Sequence, residues 1–103
     1  MPIKGVSIQE EEIIFLILKP FSEKYDFYYY GSRVKGNFRP LSDLDILVFP
    51  FVKIDMEDIE KIKSAFDESN LPYVVNLSYN VEDSFYKLIE KDLVKIERKK
   101  DDA

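Results

Sequence analysis

The chain is predicted to fold as one α/β (α+β) domain in which helices flank a small mixed β-sheet of three to four strands. Segments with apolar residues at helical spacing alternate with short runs rich in aromatic and β-branched residues. A length of 103 residues suits a single domain with a single core. No internal repeat, low-complexity segment or linker divides the chain. We therefore predict one domain over residues 1–97, followed by a charged, disordered tail over 98–103.

The first helix is predicted from its two ends. Ser7 and Glu10 fit a capping box, in which each side chain accepts a hydrogen bond from the backbone N–H group of the other residue. The apolar residues after them continue as a helix, and Pro20 stops it. Two later helices are predicted over residues 55–69 and 82–91, where charged residues separate apolar ones at helical spacing. Three residues form the apolar face of the last helix: Phe85, Leu88 and Ile89.

Three runs of aromatic and β-branched residues predict strands. They cover residues 26–30, 44–49 and 73–79, and a short extended piece at 94–96 is a candidate fourth strand. The second run is apolar apart from Asp45, which is the pattern of a strand buried on both faces. The predicted strands alternate with the predicted helices along the chain, so the helices are expected to cover the sheet.

The composition excludes several kinds of site. The absence of Cys excludes disulfides, thiol catalysis and thiolate zinc sites, and the absence of His excludes imidazole bases and the usual transition-metal ligands. A net charge of −5 argues against extended nucleic-acid binding, which depends on neutralising many phosphates. No apolar run approaches the roughly 18–20 residues of a membrane span. We therefore expect a cytoplasmic protein with no membrane partner.

The stretch from Gly31 to Asp45 predicts the chemistry of the protein. A Gly-Ser turn at Gly31 and Ser32 opens one helical turn over residues 32–35 and a basic segment. Asp43 and Asp45 then stand two residues apart at the start of an apolar strand, so alternation points both carboxylates to the same face. A shared cation relieves their repulsion, and Mg²⁺ is commonly held by one or two carboxylates and substrate phosphates. The stretch therefore predicts metal-assisted transfer of a nucleotide.

These residues resemble the signature of the DNA polymerase β-like nucleotidyltransferase superfamily, a Gly-Ser pair followed after ten residues by Asp-x-Asp. The order of elements is similar to that of its smallest members, the minimal nucleotidyltransferase (MNT) domains, and residues 71–77 resemble their third strand. The resemblance implies the nucleotidyltransferase fold, ATP as substrate and a two-Mg²⁺ site. MNT proteins of this type usually act as antitoxins in HEPN/MNT toxin-antitoxin pairs. They transfer AMP from ATP to a Tyr of the HEPN-domain toxin.

The resemblance also implies roles for individual residues. It assigns Gly31 and Ser32 to the triphosphate of the nucleotide, through backbone N–H groups and the Ser hydroxyl. It assigns Asp43 and Asp45 to the metal ions that bridge the phosphates. Arg33 matches a common Arg of the family, and its side chain is expected to donate to a phosphate.

One position departs from the family pattern. The third catalytic carboxylate corresponds to Asn76, which has no proton acceptor to help deprotonate an attacking hydroxyl. That carboxylate normally binds only the metal ion on the nucleophile side, so we expect this ion to bind weakly. The ion on the nucleotide side, held by Asp43 and Asp45, is expected to be retained. Glu82 and Asp83 follow the third strand and are candidates to replace the carboxylate, although a cap for the last helix is the preferred role.

Three functional hypotheses follow. The first is an ATP-dependent adenylyltransferase antitoxin that is either active or, because of the Asn at the third carboxylate position, weakly active. The second is a catalytically silent antitoxin that binds nucleotide or only its toxin and neutralises it by contact. The third is a stand-alone domain that modifies a small molecule, for which 103 residues leave little room. A homodimer is compatible with all three.

Overall fold

The computed structural model describes residues 3–49 and 54–97, and the predicted tail over 98–103 lies outside the described residues. Helices and strands alternate along the described chain. The α-helices and strands, in chain order, are α1 Ile8–Leu18, β1 Asp26–Tyr30, α2 Ser32–Lys35, β2 Leu44–Phe49, α3 Met56–Asp67, β3 Val75–Ser78, α4 Asp83–Ile89 and β4 Val94–Lys95. Two 3₁₀ turns follow α1 and α4, at Lys19–Phe21 and Glu90–Asp92. The predicted fold class is confirmed.

The strands form one mixed sheet in the order β3-β2-β1-β4. β1 pairs antiparallel with both β2 and β4, whereas β2 and β3 are parallel and are joined through α3, as a parallel pair requires a crossover. Tyr30 lies opposite Asp45 across the first pair, and Asp45 lies opposite Asn76 across the parallel pair. Side chains at opposed positions share a face of the sheet, so these three residues face the same side.

The two faces of the sheet have different environments. One face is covered by α1 and α3 and forms the hydrophobic core. Its fully buried members include Ile14 of α1, Ile59 and Ile62 of α3, and Tyr29, Leu44, Ile46 and Val48 of the sheet. The other face carries Asp45 and Asn76 and contacts α4, where the ring of Phe85 packs edge-on against Tyr30 at a centroid distance of 5.9 Å. The candidate site therefore lies on the face opposite the core.

The predicted ends of α1 are confirmed. Ser7 Oγ accepts a hydrogen bond from the Glu10 backbone N–H at 3.1 Å, and Glu10 Oε1 accepts one from the Ser7 N–H at 3.1 Å. This is the reciprocal capping box that the sequence predicts. Pro20 lies in the 3₁₀ turn directly after the helix. None of the helices within residues 3–49 and 54–97 is long and apolar enough to cross a membrane.

The C-terminal elements differ from the prediction. β3 begins at Val75 instead of residue 73, and Tyr73, before the strand, donates a hydrogen bond from its hydroxyl to Glu10 Oε1 at 2.9 Å. α4 ends at Ile89 and contains no fully buried residue. The predicted apolar face of this helix was wrong at Leu88, which is 72% exposed. Tyr86 packs against Phe49 of β2 instead, at a centroid distance of 6.3 Å.

Candidate active site

A tight turn follows β1 and brings the backbone of Gly31 against Asp45. Gly31 has φ +89° and caps α2, and its carbonyl accepts hydrogen bonds from Val34 and Lys35 at 3.1 Å. Glycine populates this region of φ without steric cost. A Cβ on Gly31 would also overlap the carboxylate of Asp45. The Gly-Ser turn and the acidic strand therefore touch at a position that only glycine fits.

Two carboxylates and an amide converge beside this turn. Asn76 Nδ2 donates hydrogen bonds to Asp43 Oδ2 at 2.9 Å and to Asp45 Oδ1 at 3.4 Å. The parallel pairing of β2 with β3 places Asn76 opposite Asp45, and Asp43 directly precedes β2. Both carboxylates thus reach one atom, which is consistent with the common direction predicted from strand alternation. Asp43 and Asn76 are exposed, and Asp45 is half-buried.

The electrostatic environment of Asp45 reflects this arrangement. Burial raises the pKa of the Asp45 carboxyl above its usual range, because the charged form loses contact with water. The hydrogen bond from Asn76 opposes this effect on the pKa, and the nearby charge of Asp43 adds to it. The amide N–H group therefore offsets part of the cost of holding two carboxylates together.

The donor set can be compared with the metal ions that the resemblance implies. Two carboxylate oxygens that approach the same hydrogen-bond donor also fit one Mg²⁺ ion, whose remaining positions would be filled by water and phosphate oxygens. Among the described residues, no group of three or more acidic, His or Cys side chains is placed to hold a metal ion. Glu82 stands at the N-cap of α4, where its side chain makes no capping hydrogen bond. The arrangement thus fits one divalent ion and lacks the third carboxylate of a two-ion site.

Arg33, expected from the resemblance to contact a phosphate, is buried in the structure, where only 3% of it is exposed. Its guanidinium donates to the backbone carbonyls of Gly5 at 2.5 Å and of Pro40 at 2.8 Å. It also donates to the carbonyl of Ser42 from Nε at 3.1 Å and from a terminal nitrogen at 2.8 Å. These bonds hold the segment that leads into Asp43.

A pair of hydroxyl groups that was not predicted from the sequence lies beside the acidic pair. Tyr30 Oη and Ser78 Oγ lie 2.6 Å apart and share a hydrogen bond. Tyr30 is paired with Asp45, and Ser78 lies two residues beyond Asn76 on the same face of β3. Counting by two from Asn76 along the predicted strand is the signal that would have found Ser78. The hydroxyl of Tyr30 lies on β1, 48 residues before Ser78 in the sequence, so spacing along β3 could not have predicted it.

Comparisons with known proteins agree with this geometry. A family model described as "Polymerase beta, Nucleotidyltransferase" matches residues 9–101 of the chain. The chain is also 32% identical over 96 residues to the Haemophilus influenzae protein named "Probable protein adenylyltransferase MntA". That alignment covers 91% of this chain and 84% of the relative. The family match includes the Gly-Ser turn, the acidic pair and Asn76.

Proposed function

This chain belongs to the polymerase β nucleotidyltransferase family, and we propose that it is an antitoxin that binds ATP with Mg²⁺ and transfers AMP to a Tyr of a cognate HEPN-domain toxin. Membership confirms the resemblance found in the sequence. The convergence of Asp43, Asp45 and Asn76 beside the Gly31 turn is the observation that carries the proposal. The relative named as a protein adenylyltransferase supports a protein acceptor.

Different residues of the proposed site would bind the triphosphate and the metal ion. We assign the triphosphate to the turn at Gly31 and Ser32, which lies directly against Asp45. Asp43 and Asp45 would hold one Mg²⁺, which when bound offsets the negative charge of the phosphates. Asp43 is exposed, so ligands reach it from solvent, whereas Asp45 is fixed by the sheet.

The proposed site lacks a carboxylate at position 76 that could take a proton from the acceptor hydroxyl. In adenylyl transfer the acceptor oxygen bonds to the α-phosphorus, the bond to pyrophosphate breaks, and the acceptor hydroxyl loses its proton. Asn76 cannot take that proton, because an amide has no basic oxygen comparable to a carboxylate. We therefore propose slow transfer in which the proton passes to water. The alternative is a silent antitoxin that binds its toxin and acts by contact, and the amide at position 76 is the observation that favours it.

The test is incorporation of AMP into the partner, measured by mass spectrometry. The chain is incubated with ATP, Mg²⁺ and its cognate HEPN-domain partner, alongside the variants Asn76→Asp and Asp43→Ala. We expect slow addition of AMP to a partner Tyr by the natural sequence, faster addition by Asn76→Asp and none by Asp43→Ala. Addition by Asn76→Asp alone would favour the silent alternative. If none of the proteins modifies the partner, adenylyl transfer is rejected.

A further inference from the structure

Arg33 uses most of its hydrogen-bond donors beside the proposed nucleotide site. It lies in α2, two residues after Gly31, and its guanidinium bonds to three backbone carbonyls, at Gly5, Pro40 and Ser42. Four of the five N–H donors of an Arg are needed for these bonds. Charge-assisted hydrogen bonds of this kind are among the strongest that side chains make.

Aromatic rings and close packing fix the same side chain. The guanidinium carbon of Arg33 lies 3.9 Å from the ring centroid of Tyr73 and 5.0 Å from that of Phe38. A Cβ on Gly5 would come within 2.7 Å of Arg33 Cβ, so the N-terminal segment also closes over the stem. The ion pairs found among residues 3–49 and 54–97 do not include Arg33. Its charge is therefore satisfied by carbonyl dipoles and rings.

The position of these contacts connects the two halves of the site. The Ser42 carbonyl belongs to the peptide group that joins Ser42 to Asp43, so a bond to it restrains the backbone from which the Asp43 side chain extends. The helix that carries Arg33 begins at the turn that contacts Asp45. Arg33 is thus bonded to one side of the acidic pair and connected through its own helix to the other.

From this geometry we propose that Arg33 is a positioning residue for the nucleotide site. It holds the loop over residues 36–43 so that Asp43 faces Asp45 and Asn76, and it acts on the bound metal–nucleotide complex only through that loop. The proposal depends on the proposed function for its ligand. Its rival is direct contact between Arg33 and a phosphate of the nucleotide.

Arg33→Lys is the informative substitution. Lysine keeps the positive charge, but its single nitrogen cannot form the planar fork that reaches three carbonyls and stacks on a ring. Arg39→Lys is a matched control, since Arg39 is exposed in the same loop. Gly5→Ala is a second route to the same disturbance, because the added Cβ pushes on the stem of Arg33 while the guanidinium remains. Folding of each variant is checked by circular dichroism before binding is measured.

The first measurement is ATP affinity by calorimetry, in Mg²⁺ and in chelator. We expect Arg33→Lys to reduce the Mg²⁺-dependent gain in affinity by about tenfold, the equivalent of about 1.4 kcal/mol, and to leave metal-free affinity nearly unchanged. Gly5→Ala should shift the gain in the same direction, and Arg39→Lys should not change it. An equal loss of affinity with and without Mg²⁺ in Arg33→Lys would show direct phosphate contact and overturn the proposal. A full Mg²⁺-dependent gain in Arg33→Lys would also overturn it.

The second measurement separates this proposal from the proposed function. Hydrogen exchange of residues 36–43 is followed without any ligand, and we expect faster exchange in Arg33→Lys than in the natural sequence or in Arg39→Lys. Unchanged exchange in Arg33→Lys would overturn the positioning role even if ATP binds. If the natural sequence binds no ATP, the proposed function fails, and this exchange measurement alone decides whether Arg33 holds the loop.

Discussion

Two buried tyrosines, Tyr25 directly before β1 and Tyr29 within it, differ in what their hydroxyl groups contact. The hydroxyl of Tyr25 donates to Asp58 Oδ2 at 2.9 Å and accepts from the Asp55 N–H at 3.0 Å. The hydroxyl of Tyr29 is buried without a hydrogen-bond partner in the described part of the chain. Burial raises the pKa of Tyr29, because the ionised form has lost its water. The two residues therefore form an internal comparison of a satisfied and an unsatisfied polar group.

We expect Tyr29→Phe to stabilise the protein and Tyr25→Phe to destabilise it. Removing the unpaired hydroxyl of Tyr29 should raise the free energy of unfolding by about 1 kcal/mol, since burying an unbonded polar group is costly. Removing the Tyr25 hydroxyl should lower it by roughly 1–3 kcal/mol, because Asp55 and Asp58 lose a partner. Urea denaturation measures both changes. A loss in Tyr29→Phe as large as that in Tyr25→Phe would show that the Tyr29 hydroxyl is in fact satisfied.

The residues of the site also show what a sequence can and cannot predict. The positions of Asp43, Asp45 and Asn76 follow from motif spacing and strand alternation, which are local patterns. The contacts of Arg33 could not be predicted in this way. Its partner carbonyl at Gly5 lies 28 residues away, and any residue type can supply a backbone carbonyl. The sequence alone therefore does not distinguish an Arg that contacts a phosphate from one whose guanidinium bonds to backbone carbonyls.

Among the helices and strands, the ends that are set by local residues were predicted more accurately than the ends that depend on packing. α1 is bounded by a side-chain capping box and a proline, both visible in the sequence. The ends of β3 and α4 depend on packing between distant segments. α4 starts at Asp83, its N-cap residue Glu82 makes no side-chain capping bond, and it contains no fully buried residue, so its periodicity gave little information about which side faces the sheet. This lack of information explains why Leu88 was wrongly predicted to lie on the buried side of the helix.

The start of α3 is joined to the turn before β1 by a small polar network. Asp55 caps the helix through a hydrogen bond from the Glu57 N–H to its Oδ1 at 2.9 Å. Asp58, in the first turn, accepts hydrogen bonds from Lys24 Nζ at 2.8 Å and from the Tyr25 hydroxyl. The hydrogen bond from Lys24 and then that from Tyr25 hold the pKa of the Asp58 carboxyl below its usual range. This helix end is therefore stabilised by an ionised Asp58.

The stabilisation from Asp58 should depend on pH in a defined direction. A carboxyl whose pKa is lower in the folded protein stabilises it above the unfolded pKa of about 3.9, and that stabilisation is lost as pH falls through the folded pKa. We therefore expect Asp58→Asn to be less stable than the natural sequence at neutral pH, with a difference that shrinks as pH falls below the unfolded pKa of about 3.9 and through the lower folded pKa. Denaturant unfolding across this range gives the measurement. Asp67→Asn, at an exposed position of the same helix, is the control, and a pH-independent difference for Asp58→Asn would contradict the prediction.

At the scale of the whole molecule, the residues of the hydrophobic core and the residues of the candidate site lie on different faces of the sheet. The core lies between the sheet and the pair α1 and α3, and the candidate site lies on the opposite face. Changes at Asp43 or Asn76, which are exposed, leave the buried core residues in place. A ligand that binds only the folded protein then raises the free energy of unfolding by RT ln(1 + L/Kd), where L is the free ligand concentration. The stability of the whole domain thus becomes a measure of what its exposed face binds.

Asn76→Asp should reverse its effect on stability when metal and nucleotide are added. In chelator, the substitution removes an amide donor shared by two carboxylates and adds a third negative charge, so the variant should be no more stable than the natural sequence, and less stable if the repulsion is unscreened. With Mg²⁺ and ATP, we expect the same carboxylate to act as a ligand, so the variant should gain more in melting temperature. Thermal melts of both proteins under both conditions test this, with Asn70→Asp as a control that adds the same charge at an exposed position after α3. A variant that is clearly stabilised in chelator would mean that position 76 does not face the acidic pair.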